Sequence, residues 1–123
     1  MTIEDTDKVD WVAWKGDRLL LVITDHLEWT DFEAHAELLR SKIESYVTYI
    51  ESGQLWELPR APKSVDVVIE LALKEKPPPA ATSLFHSVEH VLQDRGIGFE
   101  VWVGLREDTL RMSAPSKRFE APR

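Results

Sequence analysis

The pattern of apolar and polar residues along this chain predicts four β-strands. Residues 9–15 and 18–25 form two strands joined by a tight turn, in which Gly16 supplies the positive φ that such turns often need. The second strand is apolar on both faces, as expected of a central strand. Residues 65–74 alternate cleanly and form a half-buried strand, and residues 97–106 form the last one.

Two amphipathic helices are predicted between these strands, because apolar residues recur there at i, i+3 and i+4. The first begins at a capping box, in which the side chains of Thr30 and Glu33 each accept from the other's backbone amide, and it ends before Gly53. The second follows the proline segment 76–80 and ends before Gly96. The inward residues are Phe32, Ala36, Leu39, Ile43, Tyr46, Val47 and Ile50 in the first helix, and Ala81, Leu84, Phe85, Val88, Val91 and Leu92 in the second.

The element order ββαβαβ predicts an α/β (α+β) fold with two layers. Right-handed crossovers place both helices on one face of a four-stranded mixed sheet with strand order 1-2-3-4. We expect a single domain over residues 9–106, an N-terminal extension over residues 1–8 and a flexible C-terminal tail over residues 107–123, whose composition is that of a frayed segment.

The sheet face that the helices leave uncovered carries apolar side chains in this prediction. Strand alternation places Val68, Ala72 and Trp102 there, joined by Trp14 in one register of the first strand or by Trp11 in the other. An apolar patch of this kind is unusual in contact with water. We therefore predict an interface formed by Trp102, Val68, Ala72 and Trp14.

Composition and charge narrow the classes of function. The 123 residues carry a formal net charge of −7, which favours a basic or neutral partner and argues against nucleic acid, whose binders usually show a basic stripe. The chain has no cysteine, which excludes thiolate metal sites and cysteine nucleophiles. Since no apolar run could span a bilayer and the N-terminus is acidic where a secretion signal would be basic, we predict a cytoplasmic protein with no membrane partner.

Polar side chains cluster where the second strand turns into the first helix. Asp25, His26 and Glu28 follow the strand, and His35 lies about one and a half turns into the helix. Ligands of parallel α/β folds tend to bind beyond the carboxyl ends of strands, where a carboxylate and a histidine could bind a metal or relay a proton. The same residue types are also ordinary hydrogen-bonding groups at such a turn, and we prefer this structural interpretation. No cofactor is predicted.

Residues 86–90, with the sequence HSVEH, match the H-x-x-E-H pattern of inverted zinc peptidases. At about 100° per residue, however, His86 and His90 point away from the apolar stripe of their helix and should face solvent. Because no third ligand is identifiable in a partnering segment, we interpret them as surface histidines.

The segments LLLVITDHLEW (19–29), YIESGQL (49–55) and VVIELALKEKPPP (67–79) resemble a family of small uncharacterised bacterial domains. Those domains share a strand ending in D-H-L-[DE]-W, a helix ending in E-S-G and a later strand that runs into prolines. The resemblance covers about residues 9 to 105, and the pattern positions are occupied here by Asp25, His26, Trp29, His35 and Gly53. It implies the fold and a bacterial origin, and it implies no particular activity.

Two functions from different classes follow from these observations. The preferred one is a non-enzymatic protein-interaction or dimerisation domain, similar in style to an adaptor or an immunity protein, that binds a protein partner or a second copy of itself. The alternative is a metal-dependent enzyme or small-ligand binder centred on Asp25, His26, Glu28 and His35. A pocket lined by these four side chains would favour the alternative, and a flat apolar patch around Trp102 would favour the interaction domain.

Overall fold

The computed structural model describes residues 11–58, 64–103 and 118–120. The strands are β1 (Trp11–Lys15), β2 (Arg18–Asp25), β3 (Ser64–Leu73), β4 (Gly98–Val103) and β5 (Arg118–Glu120). The helices are α1 (Phe32–Glu51) and α2 (Ala81–Asp94), and one turn of 3-10 helix covers Gln54–Glu57. Within the described residues, neither α-helix combines the length and the apolar composition that a membrane span requires.

The sheet has the strand order β1-β2-β3-β4 that the sequence predicts. β1 pairs antiparallel with β2, whereas β2 with β3 and β3 with β4 are parallel, so the sheet is mixed. β5 adds an antiparallel pairing at the start of β3, over residues 64–66. The sequence analysis predicts no strand there, because three residues carry no periodic signal. The predicted extension over residues 1–8 lies outside the described residues, as does most of the predicted tail.

The core lies between the sheet and the two helices. The two central strands contribute alternate side chains to this core, from Leu19 to Ile23 in β2 and from Val65 to Leu73 in β3. These side chains pack against the inward stripes of α1 and α2. The predicted stripes are confirmed with one exception: Val91 is 50% exposed. It follows Val88 by three residues but lies at the solvent edge of the stripe, which passes through Leu92.

Glycines end both helices as predicted. Gly96 has φ +76°, its amide donates to the Gln93 carbonyl at 3.0 Å, and the Ile97 amide donates to the Leu92 carbonyl at 2.9 Å. This pair of bonds is the Schellman arrangement, which satisfies carbonyls that the helix end leaves unpaired. Gly53, with φ +85°, follows α1 in the same left-handed conformation.

The predicted capping box at Thr30 and Glu33 is wrong by one residue. Asp31 is the N-cap of α1, and its side chain accepts a hydrogen bond from the Ala34 amide at 3.2 Å. With Asp31 as the cap, Glu33 falls at the second helical position, where it can favour the positive end of the helix dipole but cannot close the box.

Asp31→Ala is therefore expected to lower the free energy of unfolding by about 1 kcal/mol, because it removes the acceptor at the helix N-terminus. Thr30→Ala is the matched control, and it should change stability by less than about 0.5 kcal/mol. Urea denaturation of both variants separates the two assignments. A larger loss of stability from Thr30→Ala than from Asp31→Ala would show that Thr30 is the N-cap, as in the predicted capping box.

The face of the sheet opposite the helices is buried at its centre, contrary to the expectation of a wide apolar patch in contact with water. Val68 is 0% exposed, and Leu20 and Val22 are also buried. Trp14 is not on this face. It pairs with Leu19, and because opposed residues of an antiparallel pair share a face, both side chains lie on the helix side, where Trp14 packs against the core.

Candidate functional site

The loop between β2 and α1 brings one carboxylate and one imidazole together inside the protein. Strand alternation places Asp25 on the core side, after Leu21 and Ile23. α1 begins at Phe32, so His35 lies in its first turn and on its inward stripe. Both side chains are almost fully buried, with Asp25 and His35 each 2% exposed. The two residues are ten positions apart in sequence and in contact in the fold.

Hydrogen bonds occupy both ring nitrogens of His35. Its Nε2 shares a hydrogen bond with Oδ2 of Asp25, and its Nδ1 lies 3.2 Å from the backbone carbonyl of Glu28. The other carboxylate oxygen of Asp25 accepts from the Leu27 amide at 3.1 Å. The site is thus internally satisfied, and it leaves neither ring nitrogen open to a substrate or a metal ion.

The geometry fixes how many protons the pair holds. Since a carbonyl can only accept, Nδ1 of His35 carries a hydrogen and donates to Glu28. One further proton lies between Nε2 and Oδ2, either as imidazolium beside carboxylate or as imidazole beside carboxylic acid. Burial raises the pKa of Asp25, against the smaller opposing effects of its hydrogen bond and charge interaction with His35.

An aromatic cluster covers the pair. The Trp29 ring stacks on the His35 ring, with centroids 3.7 Å apart and planes 14° from parallel. Its edge meets Phe85 of α2 at 6.2 Å in a T-shaped contact, and Phe32 lies 6.0 Å away. The indole Nε1 of Trp29 is buried and has no hydrogen-bond acceptor among the described residues.

The other two residues of the predicted site do not join this pair. His26 and Glu28 are exposed, and Glu28 contributes its backbone carbonyl rather than its carboxylate. His26 follows Asp25 directly, so its side chain leaves on the opposite side of the extended chain. In the part of the chain that the structure describes, no group of three or more His, Asp or Glu side chains is arranged to hold a metal ion.

The predicted interface residues are also separated by the fold. Ala72 and Trp102 are neighbours in register on β3 and β4, and Thr24 continues the same row on β2. All three are half-buried, at the carboxyl ends of the parallel strands and on the face away from the helices. We call these three residues the Trp102 row. Val68, two rows further back on that face, has no exposed surface, and Trp14 lies on the other face.

Comparison with protein families identifies the group to which this chain is related. Residues 1–104 match the model of DUF6572, described as a family of unknown function. The chain belongs to this family. No curated protein and no solved structure matches the chain. The family match confirms the resemblance to a family of unknown function that the sequence suggests.

In this member of DUF6572, α1 buries a lysine that the sequence analysis did not single out. Lys42 is 0% exposed, and its Nζ lies 5.7 Å from the centroid of the Tyr46 ring. The Tyr46 hydroxyl in turn donates to the Val22 carbonyl at 2.7 Å. The spacing of residues in the sequence does indicate this burial. His35, Leu39, Lys42 and Tyr46 follow one another at intervals of four, three and four, so they lie on one face of a helix.

The sequence analysis of this DUF6572 chain also missed two buried carboxylates on the sheet. Glu70 of β3 and Glu100 of β4 are in register and are 1% and 4% exposed. Arg18 reaches Glu100, with Nη2 3.4 Å from Oε1. The alternation of side chains along a strand places Glu70 and Glu100 on the face away from the helices. The sequence does not show that this face is buried around them, so it does not identify them as interior residues.

His86 and His90 are exposed on α2, as expected of surface histidines. We predict that replacing both with glutamine leaves the thermal unfolding of this DUF6572 domain unchanged, because neither side chain is buried. Thermal melts of both forms with and without Zn²⁺ check this. A stoichiometric, zinc-dependent rise of the melting temperature that the double variant abolishes would contradict it.

Proposed function

We propose that this chain is a non-enzymatic protein-interaction domain that binds its partner through the Trp102 row. The observation that carries the proposal is the half-buried side chain of Trp102 beside Ala72 and Thr24, which keeps some exposed surface on a sheet face whose central residues are buried. An indole at the end of such a face offers a large and rigid contact area, which is why tryptophan is enriched among residues that dominate binding energies.

The state of the Asp25–His35 pair supports a binding function over a catalytic one. A general base or a metal ligand must present an open nitrogen or oxygen to the reacting group. To do so, His35 would have to break its bond to Asp25 or its bond to the Glu28 carbonyl, both of which are internal. The enzyme or ligand-binding alternative would therefore require this corner of the protein to rearrange.

Charge decides which partner we propose for the Trp102 row. Two copies of this chain, each with a formal net charge of −7, repel each other, whereas a protein with a basic surface is attracted. We therefore propose a heterologous partner that places an apolar side chain against Trp102 and basic side chains around it. Self-association is the competing outcome of the test below.

The proposal can be tested by site-specific photocrosslinking in the cells that produce the protein. The photoreactive residue p-benzoylphenylalanine replaces Ala72 in one form and Thr82, which is exposed on α2, in the control form. We expect a discrete adduct from position 72 and none from position 82. With the partner identified and purified, binding should weaken as salt increases, because salt screens the attraction between acidic and basic surfaces.

A second change within the same chain links the adduct to the Trp102 row. Trp102→Glu places a charge against the partner and should abolish the adduct from position 72. Circular dichroism should show unchanged helix content, and Thr24→Arg provides a second disruption from β2 if the glutamate variant fails to fold. An adduct with the mass of two copies of this chain would replace the basic partner with a homodimer, and an adduct that both changes leave intact would refute the Trp102 row.

A further inference from the structure

Several contacts of the segment of residues 26–31 run through the Asp25–His35 pair, in addition to the packing of Leu27 and Trp29 against the core. Asp25 holds the Leu27 amide, His35 holds the Glu28 carbonyl, and the His35 ring is the surface on which Trp29 stacks. The bond between Nε2 and Oδ2 joins the two side chains that make these contacts.

The bonds of His35 to the Glu28 carbonyl and to Asp25 can both form only while the pair shares one proton besides the hydrogen on Nδ1. With that proton, the pair has no net charge, and both partners are satisfied in a buried site. If the pair loses this proton, the buried site carries a net negative charge, and one ring hydrogen of His35 remains for two acceptors, the Glu28 carbonyl and the Asp25 carboxylate. Whichever nitrogen keeps the hydrogen, one of the two bonds of His35 is then lost while both side chains remain inside the protein.

We propose that residues 26–31 form a proton-controlled latch, which is closed while Asp25 and His35 share one proton and loosens when that proton is released. Loosening separates Trp29 from His35 and from Phe85, so the latch connects protonation at the end of β2 to the contact between this segment and α2. The device is independent of the Trp102 row, which lies on the other face of the sheet.

Few charged groups act on the latch. His35 of α1 and, more weakly, His26 of the segment itself act on Asp25. The backbone amide of Lys74, directly after β3, donates to the Asp25 carbonyl at 2.9 Å. α2 contacts the segment through the uncharged ring of Phe85.

The direction of the pH dependence follows from burial. Because burial raises the pKa of Asp25, the folded chain binds the proton more tightly than the unfolded chain does. The stability that the shared proton contributes is lost as the pH rises through the raised pKa of Asp25 in the folded chain. The latch should therefore tighten on acidification.

The indole N–H of Trp29 provides a direct readout, since it is buried with no acceptor among the described residues and meets water when the latch loosens. Its resonance is assigned with Trp29→Phe, and its hydrogen exchange is measured by NMR between about pH 8 and about pH 5, with correction for the intrinsic exchange rate. We expect its protection to increase as the pH falls, by up to about tenfold per pH unit, which is the limit for one linked proton.

Two variants and one internal reference make the test specific. In Asp25→Asn, an amide can accept from Leu27 and donate to His35 without a shared proton, so the protection of Trp29 should become independent of pH. His26→Gln should retain the dependence. The amide of Ile69 in β3 reports opening of the whole domain, and its protection should change less than that of Trp29.

Three results would overturn the latch. Protection of Trp29 that does not vary with pH in the unmodified chain would remove the proton from the mechanism. A pH dependence that persists in Asp25→Asn would assign it to another group. Parallel changes at Trp29 and Ile69 would show that the pair acts on the stability of the whole domain and not on this segment.

Discussion

Replacing His35 with alanine is expected to lower the free energy of unfolding by about 3–5 kcal/mol. The change removes the partner of Asp25, whose side chain is buried, and it deletes the ring on which Trp29 stacks. A buried carboxylate without a partner must either stay charged at a high solvation cost or take up a proton. Urea denaturation at neutral pH measures the loss.

The same experiment in an Asp25→Asn background separates charge from packing. With asparagine at position 25, His35→Ala leaves a neutral amide rather than a carboxylate, so the loss should be clearly smaller than in the unmodified chain. Equal losses in the two backgrounds would show that the stacked ring of His35, and not its bond to Asp25, stabilises this corner.

A loss of this size is a large part of the stability of an ordinary domain, which is about 5–15 kcal/mol. We expect this loss at position 35 because Asp25 and His35 satisfy each other's hydrogen bonding, and both are too deeply buried for water to replace either side chain. The exposed histidines of α2 differ in this respect, since water hydrates them in the folded and in the unfolded chain alike.

The sequence predicts the fold well where one periodicity dominates. β2 is a run of apolar residues between a turn and an aspartate, and its predicted bounds, 18–25, are those of the structure. The strand order 1-2-3-4 follows from two right-handed crossovers and is also confirmed. The cap of α1 was misplaced because Thr30 and Asp31 are adjacent and both are favourable N-cap residues, so sequence alone cannot choose between them.

The candidate site was predictable in part. Asp25 and His35 were both named, because a strand that ends in a carboxylate and a helix with a histidine in its first turn are visible in the sequence. His26 and Glu28 were grouped with them by proximity along the chain, which says little about direction: the side chain of His26 leaves on the other side of the strand. Glu70, Glu100 and Lys42 are buried because of what surrounds each one in the folded chain. Their residue types alone predict exposed side chains.

Tyr46→Ala is expected to lower the free energy of unfolding by about 3–5 kcal/mol, as for other large aromatic side chains removed from a core. Tyr46 is 0% exposed, its ring lies beneath the Nζ of Lys42, and its hydroxyl donates to the Val22 carbonyl. The side chain thus joins the centre of α1 to β2 and also lies beside a buried cation, for which an aromatic face is a favourable neighbour.

Tyr46→Phe isolates the hydroxyl from the ring. It keeps the packing and the contact with Lys42 but leaves the Val22 carbonyl without this donor, so we expect a loss of about 1 kcal/mol. Tyr49→Phe is the matched control on the same helix, because Tyr49 is half-buried, and it should change stability by less than about 0.5 kcal/mol. Equal losses from the two phenylalanine variants would show that the bond to Val22 contributes nothing of its own. A Tyr46→Ala variant no less stable than Tyr46→Phe would show that the ring does not hold α1 against the sheet.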